Sequence, residues 1–338
     1  MKKLRVLLSE TFDPWFNLAT EDWIFRDMDP DTHVLYLWRN KDTVVIGRFQ
    51  NPWTECNTEK MEQDGIKLAR RQSGGGAVYH DIGNTNFTFM SSKNSYDKSI
   101  NNSIITNALK TFGIEAYASG RNDILVDDDE GAKKISGSAF KETKDRAFHH
   151  GTLLINADLT KLGNYLNSNK KKLESKGIKS VRSRVANLTQ YNKDISHDSL
   201  IQEIVNQFFK HYECECEVEI LDNNALKNEV KLNNYYDILR DWKWRFGETP
   251  KFSHFMEERF SWGGIEVHLE SHKGKIIDCV IYSDSLHPQM IELVCEKLKG
   301  SDYTPAGVDQ VFSSVVTELP MIKSELVEFN TWLKNQIH

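Results

Sequence analysis

Three consecutive glycines separate two stretches of the chain that have the residue pattern of β-strands. They lie within Arg70–Asp81, which reads RRQSGGGAVYHD, directly after a strand predicted at 66–69. Residues without side chains let the backbone pass close to a ligand and direct several N–H groups toward an anion. Arginine adds forked, permanently charged donors suited to carboxylate or phosphate. The segment predicts an anion-binding loop, and the alternative is a flexible loop with a solvated basic patch.

This glycine segment matches neither of the common nucleotide-binding glycine patterns. The pattern GxxxxGK[ST] is absent, and no helix directly follows the glycines. The pattern GxGxxG at a strand-to-helix turn is also missing. A nucleotide bound here would therefore be held by an unrelated scaffold.

Short strand patterns outnumber helical ones up to about residue 246. Asp13-Pro14 predicts a helix start, with Asp13 as the cap and Pro14 in the first turn, where its missing N–H costs nothing. Further helices are predicted at 100–112 and 200–208. Strands are predicted at 4–8, 34–38, 43–46, 66–69, 87–89, 124–126, 134–139 and 152–155. Many strands with few intervening helices indicate an α+β fold with a largely antiparallel or mixed sheet.

A domain boundary is predicted where glycine and proline interrupt the pattern near 246–250. Beyond it, apolar residues alternate over 265–269, Lys273-Gly274 turns the chain, and a strand returns over 276–282 before helical patterns run to the C-terminus. We predict two domains, 1–246 and 252–338, which suits a length of 338 residues.

The composition excludes several classes of protein. The formal net charge of −6 argues against a generic nucleic-acid binder. No apolar stretch approaches the length that spans a membrane, and the N-terminal apolar run is too short for a signal peptide. We therefore expect a cytoplasmic protein that binds neither membrane nor nucleic acid.

The five cysteines form no CxxC pair and no His–Cys spacing typical of a metal site. An odd number of dispersed cysteines fits reduced thiols. Cys214-Glu215-Cys216 is either half of a metal site or two side chains on opposite faces of a strand, and no partner pair of ligands favours the former.

A predicted hairpin around the acidic turn 127–131 carries a lysine followed by small residues, in the order Lys134-Ile135-Ser136-Gly137-Ser138-Ala139. Strand alternation predicts that Lys134, Ser136 and Ser138 share one face, while Ile135 and Gly137 share the other. A lysine with small neighbours can lie against a ligand; otherwise it is a solvent-facing strand lysine.

Two further polar pairs flank this hairpin. Asp123 is a candidate ligand for Mg²⁺ or a ribose hydroxyl, and Asn122 a candidate donor to a phosphate or base, although a turn of this composition also needs no function. His149 and His150 are adjacent on an extended segment and should point to opposite faces, which excludes a zinc pair. We expect one of these histidines to line a pocket.

Taken in order, these motifs resemble those of bacterial lipoate–protein ligases of the two-domain type. The resemblance spans essentially the whole chain and includes Trp262-Gly263-Gly264 near its end. The remaining matching segments are Asp13–Ala19 (DPWFNLA), Gly47–Asn51 (GRFQN), Arg70–His80 (RRQSGGGAVYH), Gly120–Asp123 (GRND), Lys134–Ala139 (KISGSA) and His150–Leu154 (HGTLL).

The resemblance implies a mixed sheet flanked by helices and a small C-terminal accessory domain. It implies two half-reactions, in which lipoate and ATP give lipoyl-AMP and pyrophosphate before the lipoyl group passes to a lysine ε-amine. The lysine that contacts both the lipoate carboxylate and the nucleotide in this family falls on Lys134. The nucleotide contacts fall on Arg71, Gly76, Ala77, Val78 and Tyr79.

Attack of one anion on another requires cations and fixed donors, so Lys134 is expected to act electrostatically beside Mg²⁺. The apolar dithiolane tail needs an apolar slot, for which Leu18, Val78 and His80 are candidates. Further contacts with lipoate are expected from Arg71, Ser73, Gly75 and His150. The expected partners are the lipoyl domains of 2-oxoacid dehydrogenases and the glycine-cleavage H protein, and the chain is expected to be a monomer.

A basic run follows the hairpin, and it is either a solvated loop or a flap that closes over the adenylate. It consists of Lys170, Lys171, Lys172, Lys176, Lys179, Arg182 and Arg184.

Three other functions are less consistent with the sequence than ligation. A thioester acyltransferase would need a cysteine between Cys56 and Cys214, where there is none; a biotin ligase would need a GRGR-type loop, which is absent; and a passive lipoate carrier is not favoured by an intact Lys134.

Overall fold

The computed structural model describes residues 3–120, 122–167, 185–246 and 254–337. The chain divides into two compact units. The first consists of Met1–Ile46, Pro52–Gln72 and Ala77–Arg245, and the second of Gly47–Asn51, Ser73–Gly76 and Phe246–His338. The second unit thus contains two short loops from the first quarter of the chain.

The first unit is built on a mixed sheet of eight strands, ordered β11-β1-β2-β6-β10-β9-β8-β7, beside a small sheet ordered β4-β3-β5. In the large sheet β1 runs parallel to β2 and β11, and the other neighbours are antiparallel. The strands are β1 (Lys3–Ser9), β2 (Thr32–Trp38), β3 (Thr43–Ile46), β4 (Lys67–Arg70), β5 (Val78–His80), β6 (Asn84–Ser92), β7 (Ala116–Ser119), β8 (Asp123–Asp128), β9 (Gly131–Glu142), β10 (Arg146–Leu154) and β11 (Val218–Leu221). The predicted α+β fold with a mixed sheet is confirmed.

Helices cover both faces of this sheet. They are α1 (Pro14–Asp27), α2 (Pro52–Glu55), α3 (Thr58–Gln63), α4 (Lys98–Thr111), α5 (Leu162–Tyr165), α6 (His197–Tyr212), α7 (Ala225–Asn228), α8 (Val230–Arg240) and α9 (Trp242–Phe246), with a 3₁₀ turn at Leu188–Gln190. Successive residues of β2 alternate between two apolar clusters, one shared with α4 and α6 and the other with α1 and α8. The face that packs against α1 is called the α1 face below.

Local chemistry explains where these elements begin and end. Asp13 caps α1 by accepting from the N–H of Trp15, and Pro14 occupies the first turn, as predicted. Gly113 follows α4 with a φ of 73°, the left-handed conformation that ends helices. The alternative that placed Cys214 and Cys216 on a strand is wrong, because these residues precede β11, which begins at Val218.

The second unit has a three-stranded antiparallel sheet, β12 (His254–Phe260), β13 (Gly263–His272) and β14 (Lys275–Ser283). It also has α10 (Pro288–Leu298), α11 (Pro305–Glu318), a 3₁₀ turn at Pro320–Ile322 and α12 (Lys323–Gln336). Alternate residues of β13 are buried, as its sequence predicts, and the β13–β14 turn has positive φ at both Lys273 and Gly274. Phe49, from the first quarter of the chain, packs against this core. The predicted boundary near 246–250 lies mostly outside the described ranges and stays a prediction.

No helix in the described ranges is long and apolar enough to cross a membrane.

Candidate functional site

A β-bulge lies where the functional lysine was predicted. Ser136 pairs with Ile124, whereas the next residue of β8 pairs with Lys134, so Ile135 has no partner of its own. Ile135 and Ser136 are consecutive, and both are fully buried. The extra residue therefore overturns the prediction that Lys134 shares a face with Ser136 and Ser138.

The side chain of Lys134 instead lies over Gly137. A Cβ added to Gly137 would lie 2.8 Å from Nζ and 2.9 Å from Cε of Lys134. Lysine and glycine are thus on one face, contrary to the predicted separation. Because the bulge brings positions i and i+3 together, the glycine leaves room for the ammonium group of the lysine.

Asp123 is the counter-ion of Lys134. Its Oδ1 lies 2.7 Å from Nζ, and the two side chains are 21% and 30% exposed. No hydrogen bond to this Oδ1 is made within the described residues, so the contact is an ion pair without hydrogen-bond geometry. The arrangement leaves the ammonium of Lys134 reachable by an anionic ligand.

Asn122 fastens the strand that carries these groups. Its side-chain Nδ2 donates to the carbonyl of Ser138 at 3.0 Å, and its own carbonyl accepts from the N–H and the hydroxyl of Ser138 at 2.8 and 3.1 Å. The predicted contact of Asn122 with a phosphate or base stays a prediction.

His150 lies on the same sheet face as the ammonium of Lys134. It is directly opposite Ala139 in the β9–β10 ladder, and opposed residues project to one face. Ala139 is two positions beyond Gly137, which keeps that face. With a rise of roughly 3.3 Å per residue, the ammonium over Gly137 and the imidazole beside Ala139 are about 7 Å apart along the strand.

A buried carboxylate orients His150. Glu21 of α1 is 2% exposed, and its two oxygens lie 2.8 and 3.0 Å from Nδ1 of the imidazole. The hydroxyl of Thr88 donates to the same carboxylate at 2.7 Å and accepts from the indole N–H of Trp38 at 3.1 Å. The carboxylate therefore holds the proton on Nδ1 of His150. Glu21 was not predicted as a site residue, because the only sequence signal is an acidic residue among the apolar residues of α1.

Arg71 and His80 join Glu21 and His150 in one buried polar cluster. The guanidinium of Arg71 donates to the carbonyl of Val45 at 3.2 Å, and burial lowers its pKa to about 10, although Glu21 opposes this shift. Burial lowers the pKa of His80 to about 3, aided by the charges of Arg71 and His150. Nδ1 of His80 lies 3.3 Å from the Nδ2 of Asn40, which leaves the proton on Nε2. In the described part of the chain, that buried Nε2 has no hydrogen-bond partner.

Arg70 serves the fold instead of this cluster. Its Nε donates to the carbonyl of Trp244 and its Nη2 to that of Arg245, both at 2.8 Å, and the indole of Trp244 donates back to the carbonyl of Arg70 at 2.9 Å. Only one of the two adjacent arginines therefore belongs to the buried polar cluster.

The glycine loop belongs to the second unit, where it is docked on a turn. The N–H of Gly75 donates to the carbonyl of Ser285 at 3.0 Å, and φ of Gly75 is 90°. A Cβ on Gly74 would lie 2.0 Å from that carbonyl, and one on Gly47 would lie 2.2 Å from the carbonyl of Gly75. The absence of a side chain at Gly74 therefore lets its backbone approach the backbone of Ser285, so this close approach is to the protein itself. Anion binding by the loop, including Ser73 and Gly76, stays a prediction.

An apolar wall accompanies the polar cluster on the α1 face. Leu18 is 2% exposed within the α1-face core, and Val78 packs against that core. Tyr79 is buried, and its hydroxyl donates to Asp42 at 3.1 Å. Leu18 and Val78 therefore have the surroundings that the predicted slot requires; their contacts with ligand, and those of Ala77 and Tyr79, stay predictions.

His149 points to the other face, as predicted for adjacent strand residues. Its ring meets the Phe87 ring edge to face, with centroids 5.6 Å apart. Neither ring nitrogen has a hydrogen-bond partner within the described ranges, and burial lowers its pKa to about 3. His149 is therefore a neutral core residue.

No three His, Cys, Asp or Glu side chains in the described ranges come together as a metal site. Burial raises the pKa of Cys56 to about 12, so this thiol is no nucleophile. Arg121 and the predicted basic run at 170–184 lie outside the described residues.

Two protein-family models match this sequence. The model described as lipoyl protein ligase A/B catalytic domain matches residues 13–209, and that of the bacterial lipoate protein ligase C-terminus matches residues 249–333. Together the two matches cover most of both halves of the chain.

Solved structures are similar over the same regions. The structure of P. falciparum LipL1 in complex with lipoate is 34% identical, with a TM-score of 0.86, 98% of this chain and 99% of that chain covered. A bipartite lipoate protein ligase from an archaeal lipoylation system of Thermoplasma acidophilum, described with its E2 lipoyl domain, is 29% identical (TM-score 0.65; coverage 75% and 100%). Lipoate-protein ligase A bound with ATP is 27% identical (TM-score 0.62; coverage 73% and 99%).

Proposed function

This chain belongs to the lipoate–protein ligase family, and we propose that it activates lipoate with ATP to lipoyl-AMP and then transfers the lipoyl group to a lysine of acceptor proteins. The observation that carries the proposal is the placement of the Lys134 ammonium and the His150 imidazole on one sheet face, about 7 Å apart along the strand.

This spacing fits the substrate. Five carbon–carbon bonds join the carboxyl carbon of lipoate to its dithiolane ring, an extended length on the order of 6 Å. With its carboxylate at Lys134, the molecule would bring its ring to the level of His150. Leu18 and Val78 offer apolar contact to the hydrocarbon tail of lipoate. The Nε2–H of His80, which has no hydrogen-bond partner among the described residues, is available to the ligand.

The first half-reaction joins two anions. A carboxylate oxygen of lipoate attacks the α-phosphorus of ATP, a new oxygen–phosphorus bond forms, and the bond to pyrophosphate breaks. The ammonium of Lys134 screens the repulsion between carboxylate and phosphate and stabilises the developing charge. When these anions bind, they take the place that the Asp123 carboxylate holds beside Nζ. Lys134 acts as an electrostatic group in this proposal and is not acylated.

The second half-reaction releases the nucleotide. The ε-amine of the acceptor lysine attacks the acyl carbon, the mixed anhydride opens, and AMP leaves with its oxygen while the amine loses a proton. The buried Leu18, the partly buried Val78 and the buried polar cluster on the α1 face keep water from the acyl group.

We assign nucleotide binding to Arg71, Gly76, Ala77, Val78, Tyr79, Asn122 and Asp123. Further contacts with lipoate are assigned to Ser73 and Gly75. Asp123 also suits Mg²⁺, because its Oδ1 accepts no hydrogen bond in the described residues and this ion commonly uses one or two carboxylates plus phosphate oxygens. When bound, Mg²⁺ would neutralise charge on the leaving pyrophosphate.

The archaeal relative is described together with an E2 lipoyl domain, which supports lipoyl domains as acceptors. We propose that the partners of this chain are the lipoyl domains of 2-oxoacid dehydrogenases and the glycine-cleavage H protein.

Intact mass spectrometry of a purified acceptor domain tests the proposal. We expect one lipoyl group per acceptor when lipoate, ATP and Mg²⁺ are present, and none without ATP or with the acceptor lysine changed to arginine. Lipoate binding without any transfer would indicate the passive carrier instead. Transfer from a thioester donor without ATP would indicate the acyltransferase.

A further inference from the structure

Two cysteines flank the turn that holds the glycine loop. This turn joins β14 to α10 and includes Ser285, whose carbonyl accepts from the N–H of Gly75. Cys279 lies in β14 before the turn, and Cys295 lies in α10 after it. Both are reduced thiols within the second unit.

The fold brings the two thiols together. The thiol of Cys295 donates to the backbone carbonyl of Cys279, with Sγ 3.0 Å from that oxygen. Cys279 belongs to the apolar core of the second unit, and Cys295 packs against that core. Cys279 is fully buried, whereas Cys295 is partly exposed. β14 and α10 thus hold the two cysteines side by side, and such proximity is the first requirement for a disulfide.

The surroundings give the two thiols different roles. Hydrogen bonding between the two thiols lowers the pKa of Cys295, and although burial opposes this shift, the nearby ammonium of Lys299 favours it. The same hydrogen bond and burial raise the pKa of Cys279. Lys299 is held in place by Asp278, with Nζ 2.7 Å from Oδ1. Cys295 is therefore the thiol that forms a thiolate, and it is also the one that solvent reaches.

We propose that Cys279 and Cys295 form a reversible disulfide when a hydroperoxide oxidises the protein, cross-linking β14 to α10 across the turn that contains Ser285. The Cys295 thiolate attacks one oxygen of the peroxide and the O–O bond breaks, which gives a sulfenic acid. The other peroxide oxygen leaves and takes up the proton that the Cys295 thiol had released, so that hydrogen peroxide yields water. The Cys279 sulfur then attacks the sulfenic sulfur, the S–S bond forms as the S–O bond breaks, and the departing hydroxide takes the Cys279 proton and leaves as a second water. One peroxide is reduced and two thiols are oxidised.

The other cysteines lack this arrangement. Burial raises the pKa of Cys56 to about 12, which suppresses its thiolate. Cys214 and Cys216 are partly exposed, but burial raises the pKa of Cys216. None of the residues that form the dithiol has a role in the proposed ligation, so the two proposals fail independently.

The test treats the full-length protein with hydrogen peroxide, alkylates the remaining thiols and maps the peptides by mass spectrometry. Of the five thiols, we expect three to remain alkylatable, with one peptide pair joined through Cys279 and Cys295. Dithiothreitol should restore all five. Retention of all five thiols, or a cross-link confined to Cys214 and Cys216, would overturn the proposal.

Three variants separate the roles of these thiols. We expect Cys295→Ser to abolish the cross-link and Cys279→Ala to leave a sulfenic acid on Cys295 that a dimedone probe traps. The double variant Cys214→Ser/Cys216→Ser is the matched control and should form the cross-link as the wild type does. Thermal unfolding of each reduced variant verifies that it is folded. A cross-link that persists in Cys295→Ser would overturn the assignment.

Discussion

At the scale of single residues, buried polar groups define the site. Glu21, Arg71, His80 and His150 are all at least nine-tenths buried, yet they come from one helix and three different strand regions. Buried charges persist in proteins where they are paired and hydrogen-bonded. The carboxylate of Glu21 accepts hydrogen bonds from two of the side chains around it, so it organises the cluster.

Glu21→Gln should weaken lipoate binding more than it slows catalysis. The glutamine amide is uncharged and has only one oxygen to accept the hydrogen bonds that His150 and Thr88 donate to the carboxylate. The imidazole of His150 therefore loses its fixed orientation. We expect KM for lipoate to rise roughly tenfold, or about 1.4 kcal/mol, with a smaller change in kcat. The control is Asp22→Asn, a buried acid that pairs with Arg26. Equal effects of both variants on KM would contradict a positioning role.

His149 should make the protein sensitive to acid. Its pKa is about 3 in the folded chain and lies near 6.5 when unfolded, so the unfolded state binds more protons between these values. The free energy of unfolding should therefore fall as pH drops below about 6.5, by up to about 1.4 kcal/mol per pH unit for this residue.

His149→Leu should remove that contribution. Urea unfolding at pH values of about 7.5, 6 and 5 would show a shallower decline for the variant, with stability near neutral pH unchanged or raised, because the imidazole makes no hydrogen bond within the described residues. If the free energy of unfolding had the same pH dependence in the variant and the wild type, His149 would take up its proton as readily in the folded protein as in the unfolded chain, which would contradict the prediction.

At the scale of elements, the bulge in β9 decides where the lysine points. Sequence patterns predicted the β8–β9 hairpin and its acidic turn, because strand propensity and turn chemistry are local. They assigned Lys134 to the wrong face because a bulge depends on how two strands pair, which is not a local property. Docking of the glycine loop on Ser285, more than 200 residues away, was unpredictable for the same reason.

The histidine pair shows what alternation alone can predict. Opposite faces for His149 and His150 follow from the strand period and are confirmed. The packing of α1 decides which face of the sheet meets the carboxylate of Glu21. The residue pattern of β10 alone does not contain this information.

Gly137→Ala should displace the ammonium of Lys134. The new Cβ would lie 2.8 Å from Nζ, and the flexible end of the lysine can move away, so the fold should be retained. We expect adenylation to fall by roughly one to two orders of magnitude, in line with loss of positioning, and thermal stability to change little. Gly163→Ala is the control, since its Cβ would meet no atom within 4 Å. Similar activity of the two variants would argue against the contact between Gly137 and Lys134.

At the scale of the whole molecule, the two compact units are not two consecutive stretches of chain. The second unit gathers Gly47–Asn51 and Ser73–Gly76 with Phe246–His338. The N–H of Ser283 donates to the carbonyl of Phe49 at 2.7 Å, and the Phe49 ring packs into the core of this unit. A loop from the first quarter of the chain thus contributes to the stability of the C-terminal part.

Phe49→Ala should therefore destabilise the second unit. Loss of a largely buried aromatic ring typically costs about 3 kcal/mol in free energy of unfolding, and somewhat less at a partly buried site. Hydrogen exchange of amides in β13 and β14 would locate the loss. Met321→Ala, at a side chain that is 93% exposed, is the matched control. Equal protection of β14 in the two variants would contradict the structural role of Phe49.

The most direct test of the central claim is lipoate-dependent exchange of labelled pyrophosphate into ATP. We would compare the wild type with Lys134→Ala and with Lys133→Ala, whose lysine is ion-paired with Glu130 at 2.7 Å. We predict robust exchange by the wild type and Lys133→Ala, and a loss of about 100-fold or more in Lys134→Ala, the size expected for a preorganised electrostatic group. No exchange by a wild type that binds lipoate, or full exchange by Lys134→Ala, would contradict the assignment of Lys134 to lipoate activation.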